Sequence, residues 1–482
     1  MNHVDEWEQL KDDNEQKKQC CKPISRKAMV ILIVSLSIVA LAGMTVLIVF
    51  VFVFLKDIEN IDIVTDLNIT LIAEVYPDGQ RITAIAINIF DEKGRQEYII
   101  DNSKLTNQCF SVNERNITNI HSSSSLNNPH LSENGKYIII ELDPKDPGAP
   151  ILYRIDEINF QGRRNVTLHV KQETDIQLLN GDVLLKSSKV YTNNLDINKS
   201  VNLIVDDFIT QQYTNQADTN QNLTYNLYVP ESLRKGSTSL SSDEKYPLIL
   251  FMHDASVMCN DTRMTLFQGV GATIWATKEE QLKHESFIVA PCFTETIVND
   301  SFMHTGQYSY IVPMLNDLIN NRYQNKIDTN RLYTTGQSMG CMASISLMCE
   351  YPDFFSSGLF VAGQWDVKIM ENLLNQTFWI LCSEADMKAP AQNDKAMENL
   401  ESLGAKISRA RWYGNATEEE KRMNVQNILK EGNDKMYVKF VNHTVMPDDI
   451  PYNPGDEHMY TWKVAYLIEG VRDWLFNNNL NK

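Results

Sequence analysis

The hydrophobic pattern divides the chain into three stretches of different rhythm. Residues 28–55 form one uninterrupted apolar run without a charge. At 1.5 Å of rise per residue, such a run is long enough to cross a hydrocarbon core of about 30 Å with some tilt. From about residue 60 to 205 the pattern is short and alternating. Ile69, Leu71, Ala73 and Val75 precede the turn Pro77-Asp78-Gly79, and Ile82, Ala84 and Ala86 follow it. Period-two stretches recur at 137–142, 151–155 and 166–170, so several short strands in a β-sandwich are expected. After residue 205 the apolar runs become continuous: 248–252, 287–290, 331–335, 358–361, 378–382 and 437–441. Segments of helical length, such as 312–323 and 395–403, lie between them. Strands alternating with helices predict a mostly parallel sheet covered on both faces, with active residues at the carboxyl ends of its strands.

Charge orients the apolar run. Lys17, Lys18, Lys22, Arg26 and Lys27 precede it; Asp57, Glu59 and Asp62 follow. Positive flanks stay cytoplasmic, which predicts a cytoplasmic tail over 1–27, a transmembrane signal anchor over 28–55 and a type II topology. The rest of the chain would then be extracellular or luminal. A cleavable signal peptide, with Ala40-Leu41-Ala42 at its cleavage site, is the rival reading; the apolar residues beyond that site are too many for it. Ten Asn-x-Ser/Thr sequons, at Asn68, Asn116, Asn165, Asn198, Asn222, Asn260, Asn299, Asn375, Asn415 and Asn442, all lie after the run, as a glycoprotein of this topology requires. Cys20 and Cys21 stand beside the cytoplasmic face, where S-palmitoylation would fit. Six further cysteines would meet an oxidising compartment, and Cys259 with Cys292 is the preferred disulfide, although sequence does not fix connectivity. A net charge of −18 argues against a nucleic-acid surface. Nothing in the sequence sets an oligomeric state.

Chemistry concentrates in the third stretch. Gly336-Gln337-Ser338-Met339-Gly340 follows an apolar strand and opens an apolar-striped helix. That is the setting a nucleophile elbow requires, because the serine sits in a strained turn crowded by its neighbours. Ser338 needs a base, which needs an orienting acid, in the chain order Ser, acid, His. Beyond Ser338 only His443 and His458 remain. His458, expected in a loop before a terminal helix carrying Val464, Leu467, Ile468, Val471 and Trp474, is the favoured base; His443 adjoins a strand within a sequon. Asp386, just past the strand 378–382, is the favoured acid, with Glu384 and Asp366 as rivals. The oxyanion needs two backbone N–H donors. Met339 supplies one, and Ala255 is the candidate for the second, with Asp254 as the alternative; an Asp254 carboxylate pointing at the oxyanion would be unfavourable. His253 is read as structural. Phe267, Ile274, Trp275 and the pair Gln364-Trp365 could line an acyl pocket or equally belong to the core.

The stretch from Leu248 to Phe476 resembles the α/β-hydrolases of the bacterial esterase, polyhydroxybutyrate-depolymerase and predicted-peptidase group. The matching pieces are Phe251-Met252-His253-Asp254-Ala255, the elbow itself, and His458-Met459-Tyr460-Thr461-Trp462 before Val464-Ala465-Tyr466. The segment with Glu74-Val75-Tyr76-Pro77-Asp78-Gly79 is similar to the Ig-like N-terminal domain of some of those esterases. The resemblance implies an Ig-like β-sandwich over 60–205 and an α/β-hydrolase catalytic domain over 206–482. The anchor departs from the usual secreted form, and Cys341 stands where a third glycine is common. A serine esterase acting on small-molecule or polymer esters is the leading expectation, with no metal or organic cofactor. A serine peptidase shares all this chemistry, and a catalytically inactive cell-surface binding protein on a hydrolase scaffold is the alternative from another class.

Overall fold

A computed structural model describes residues 68–88, 99–154, 160–181, 183–185, 190–215, 217–218, 221–234, 244–257 and 259–480. The expected tail and anchor, 1–27 and 28–55, lie outside the described residues. Among the described residues no helix is long and apolar enough to cross a membrane.

The alternating N-terminal stretch forms antiparallel sheets. Asn68–Tyr76 pairs with Gly79–Asn88 around Pro77-Asp78, the hairpin that the alternation predicts. Both strands belong to a five-stranded sheet; a three-stranded sheet contains Phe110–Val112 and Val166–Gln172. The facing side chains, among them Leu71, Ile85, Ile138, Ile140, Leu168 and Val170, make one buried cluster. Helical structure is confined to 3₁₀ turns such as Asn102–Lys104 and Ile197–Lys199, among the described residues.

The second part is built on a nine-stranded sheet. Its strands are β1 (Ile209–Thr214), β2 (Asn222–Tyr228), β3 (Tyr246–Met252), β4 (Phe287–Pro291), β5 (Ile327–Gln337), β6 (Ser357–Val361), β7 (Phe378–Ser383), β8 (Ser408–Trp412) and β9 (Lys435–Phe440). The spatial order is β1-β2-β4-β3-β5-β6-β7-β9-β8, with only β1 and β2 antiparallel to their neighbours. β3 to β7 and β9 are apolar on both faces because two separate buried clusters sandwich them. The edge strands differ. β1 alternates between exposed and half-buried residues, and β8 buries only Ser408 and Trp412.

Four helices matter for the site: α1 (Met339–Glu350), α2 (Ala389–Ser402), α3 (Pro454–Ala465) and α4 (Glu469–Phe476). The single terminal helix expected from the apolar stripe is therefore two, broken where Ile468 turns extended. The break lets Ile468, Val471 and Trp474 stay buried while Leu467 faces solvent. α4 is pinned by Arg472, whose guanidinium donates to Glu280 Oε1 at 2.6 and 2.9 Å and to the Tyr466 carbonyl at 2.6 Å.

The first part leans on the second through the hairpin and a neighbouring arginine. Val75 and Leu152 pack on the hydrolase core. A Cβ added at Gly269 would lie 3.0 Å from the Pro77 carbonyl. The Arg163 guanidinium lies 4.1 Å above the Phe267 ring and 3.8 Å from Asp261. Phe267 and Trp275 are fully buried in this support. They belong to the core, and neither lines the cavity described below.

Glu280 and Arg472 are both buried, so removing one partner strands the other. Arg472→Met should therefore cost about 3–5 kcal/mol of stability, read as a lowered urea midpoint of the intact chain.

Candidate active site

β5 runs straight into Ser338, which has φ 51° and ψ −116°, a conformation that L-residues avoid. Two glycines make it feasible. A Cβ at Gly336 would come within 2.4 Å of the Gly340 backbone, and one at Gly340 within 2.0 Å of the Met252 carbonyl. The turn therefore presses the first turn of α1 against the end of β3. Cys341, in the third-glycine position, is accommodated because residue 363 is itself a glycine: a Cβ there would meet the Cys341 thiol at 2.7 Å.

Three sequence-selected residues from distant segments meet at this point. His458 Nε2 lies 2.9 Å from Ser338 Oγ, and His458 Nδ1 lies 2.5 Å from Asp386 Oδ2. Since the Asp386 carboxylate accepts, Nδ1 carries the proton and Nε2 is left to accept from the serine hydroxyl. Asp386 Oδ1 accepts from the Lys388 and Ala389 N–H groups at 3.0 and 3.3 Å, at the start of α2. Burial alone would raise the Asp386 pKa; the His458 hydrogen bond and charge, with the two backbone donors, outweigh it and hold the carboxyl below its usual range. The location of His458 differs from expectation. It lies in the first turns of α3 rather than in a loop, because Asn453 caps the helix at Gly455 and Pro454 occupies its first position.

The rival residues have other partners. Glu384 forms two bonds with the Arg411 guanidinium, at 2.5 and 2.8 Å. Asp366 accepts from the Lys368 and Ile369 N–H groups. His443 stands over the Tyr452 ring, 4.1 Å between centroids, with its side chain 56% exposed.

The oxyanion side is equally specific. Met339 N–H opens α1, so it has no intrahelical acceptor. Ala255 and Met339 line a common cavity of about 280 Å³ with Val257, Asn260, Phe293 and Glu295. The Asp254 carboxylate is turned away from that cavity into buried bonds. One oxygen accepts from the Ser256 N–H at 2.8 Å and from the Ser256 hydroxyl, and the other accepts from Gln337 Nε2 at 2.8 Å. His253 is a strut: Phe293 N–H donates to its Nε2 at 3.0 Å, which leaves Nδ1–H to donate to the Asp254 carbonyl at 2.7 Å. Burial pushes its pKa down, in keeping with a neutral ring. Cys259 and Cys292 are disulfide-bonded and tie this loop to the end of β4. The cluster of His253 with these two sulfurs is compact enough for a metal, but the disulfide occupies both thiols.

Gln337 and Glu457 were not singled out by sequence reasoning. Gln337 fills the variable position of the elbow motif and gave no signal. Glu457 adjoins the favoured histidine, which was the only hint.

Comparison with known proteins fits this construction. Residues 68–185 match the family model described as the esterase Ig-like N-terminal domain. A thermostable esterase of known structure superposes with a TM-score of 0.65 at 22% identity, over 85% of this chain and 99% of the other. The chain has an α/β-hydrolase fold behind an esterase-type Ig-like domain. The feruloyl esterase module from Clostridium thermocellum (10% identity, 55% of this chain and 88% of that one, TM-score 0.34) and the siderophore hydrolase EstA from Aspergillus nidulans (10%, 55% and 95%, 0.32) are more remote and carry no argument. No curated protein matches the sequence.

Asp254 holds the Ala255 loop without touching the triad. Asp254→Ala should lower kcat on an ester substrate by about tenfold to a hundredfold, with KM little changed, because one oxyanion donor loses its support. Steady-state kinetics of the variant check this.

Proposed function

We propose that this protein is a membrane-anchored serine hydrolase that cleaves carboxylic esters through an acyl-enzyme. The observation that carries the reading is the chain of contacts from Ser338 Oγ through His458 to Asp386, with the serine held at positive φ on its elbow.

The steps follow from which atom can give or take a proton. His458 Nε2 takes the hydroxyl proton as Ser338 Oγ attacks the ester carbonyl carbon. Asp386 keeps the imidazole in the Nδ1–H tautomer and stabilises its charged form. Charge developing on the carbonyl oxygen is met by the Met339 and Ala255 N–H groups, aided by the positive end of α1. His458 then returns the proton to the leaving alkoxide, leaving Ser338 acylated. A water, deprotonated by the same nitrogen, attacks the acyl carbonyl; the acid departs and the serine recovers its proton. No step needs a metal or organic cofactor. Small-molecule or polymer esters are the substrate class.

Residues 28–55 supply the anchor, and the catalytic part faces the extracellular or luminal side. The basic flank at 17–27, the acidic one at 57–62 and the sequons beyond them support this topology. The Cys259–Cys292 disulfide agrees with an oxidising compartment.

The chain should hydrolyse short-chain p-nitrophenyl esters and react covalently with a fluorophosphonate, and Ser338→Ala should abolish both. Removing the nucleophile of such a unit costs about 10⁶ in kcat. Neither activity in the parent would refute the hydrolase reading. Expressed in eukaryotic cells, the full chain should stay in the membrane pellet through alkaline carbonate extraction, and deletion of 28–55 should release it. Release of the full chain would refute the anchor.

A further inference from the structure

Glu457 is wholly buried beside His458, and the mechanism makes no use of it. A buried carboxylate is unfavourable unless it is bonded, so its contacts are informative. Oε2 accepts from the Ser383 hydroxyl at 2.6 Å. Oε1 has no hydrogen-bond donor and faces His443 Nδ1 at 3.6 Å, beyond bonding distance. These contacts come from the two strand ends packed against the first turn of α3. Ser383 closes β7, and His443 follows β9. Its sequence neighbours are Asp456 and His458, and its own carbonyl accepts from the Thr461 hydroxyl at 2.9 Å.

The Ser383 contact leads directly to the acid. The Ala385 N–H lies 3.2 Å from the same Ser383 oxygen, and the Asp386 N–H donates to the Ser383 carbonyl at 3.2 Å. Ser383 is thus the foot of the short turn that presents Asp386. Glu457 grips that foot from the helix turn that presents His458. The two halves of the acid–base pair come from segments 72 residues apart and approach to 2.5 Å. Besides that contact itself, the Glu457–Ser383 bond is the polar tie between their carriers.

Resting on the serine-hydrolase reading, we propose that Glu457 is a positioning residue: through Ser383 it locks the Asp386 turn to the helix bearing His458. The tie acts through a hydrogen bond, so an amide at 457 can replace it and an alkyl group cannot. A looser Asp386 stabilises the protonated base less, and the base then stays unprotonated to lower pH. The sign is fixed: the acidic limb of the kcat/KM profile moves down in pH when the tie is cut.

The experiment compares the parent chain with Glu457→Ala, Glu457→Gln, Ser383→Ala and the Glu457→Ala/Ser383→Ala double variant on p-nitrophenyl butyrate. Thermal melting and fluorophosphonate labelling are followed in each. Glu457→Ala and Ser383→Ala should each lower kcat about tenfold or more with KM within about twofold, because misplacement of catalytic groups acts on the chemical step. Since both cut one bond, the double variant should lose no more than the worse single. Glu457→Gln should keep most of the parent kcat. The acidic limb should move down in both single alanine variants and stay in place in the glutamine variant. Multiplicative losses, an unmoved acidic limb or an unchanged kcat in Ser383→Ala would each overturn the proposal. Ser383→Ala removes only a hydroxyl, so it decides the question even where Glu457→Ala does not fold. A parent that fluorophosphonate fails to label would overturn the hydrolase reading as well; a labelled parent with unaltered variants overturns the positioning role alone.

Discussion

The site depends on how closely α1 approaches β3. At Gly340 that distance leaves no room for a Cβ, which would sit 2.0 Å from the Met252 carbonyl. With the helix start this near the strand end, the chain can pass from β5 to α1 only through a sharp turn, and Ser338 accepts positive φ as the consequence. The same approach brings Met339 and Ala255 to one cavity, although they come from different strands. Nucleophile and oxyanion donors are thus set by one contact between backbones. The strain at Ser338 is retained because β5 lies between β3 and β6 and cannot relax alone.

Around this turn, environment gives two carboxylates opposite tasks. Asp254 and Asp386 each follow a strand of the same sheet and each is buried. Asp254 spends both oxygens on Ser256 and Gln337, so its charge is engaged away from the cavity where a substrate oxygen would become negative. Asp386 spends one oxygen on the start of α2 and leaves the other for His458. Those donors hold its charged form against the cost of burial. A residue type read from sequence does not distinguish these tasks; the donors around it do.

Legibility in the sequence followed burial. The inner strands read as continuous apolar runs because both of their faces are covered, and the elbow read clearly because its glycines are sterically compelled. The edge strands were not legible. β1, with exposed Thr210, Thr214 and Ile209, reads as polar connecting chain, and β8 carries two arginines among five residues. Pairing on one side only relaxes the demand for apolar residues, so hydropathy falls silent there. Ser338, Asp386 and His458 could be selected from chain order and strand position. The helix under His458 could not: Asn453-Pro454-Gly455 reads as a turn, and its role as a cap appears only once the following residues are known to be helical. Gln337 and Glu457 were invisible for a related reason, since their partners lie 83 and 74 residues away.

The oxyanion loop is held from three directions, which bears on why an Ig-like domain precedes the hydrolase fold. His253 bonds the Phe293 amide after β4, the disulfide joins Cys259 to Cys292, and Arg163 of the Ig-like part reaches Asp261 and covers Phe267. Each tie acts within a few residues of Ala255 or of the cavity residue Asn260. Donors for a developing oxyanion are most effective when they need not reorganise during the reaction, so a loop fixed at both ends serves better than one that closes on substrate. The Ig-like part contributes to that stiffness from outside the sheet, with no group of its own among the residues named at the triad. Its charge and aromatic contacts fall on the segment just after the oxyanion loop, where the disulfide no longer constrains the chain. The ordering of the two domains then has a mechanical reason: the sandwich supports the side of the site that the sheet itself leaves unsupported.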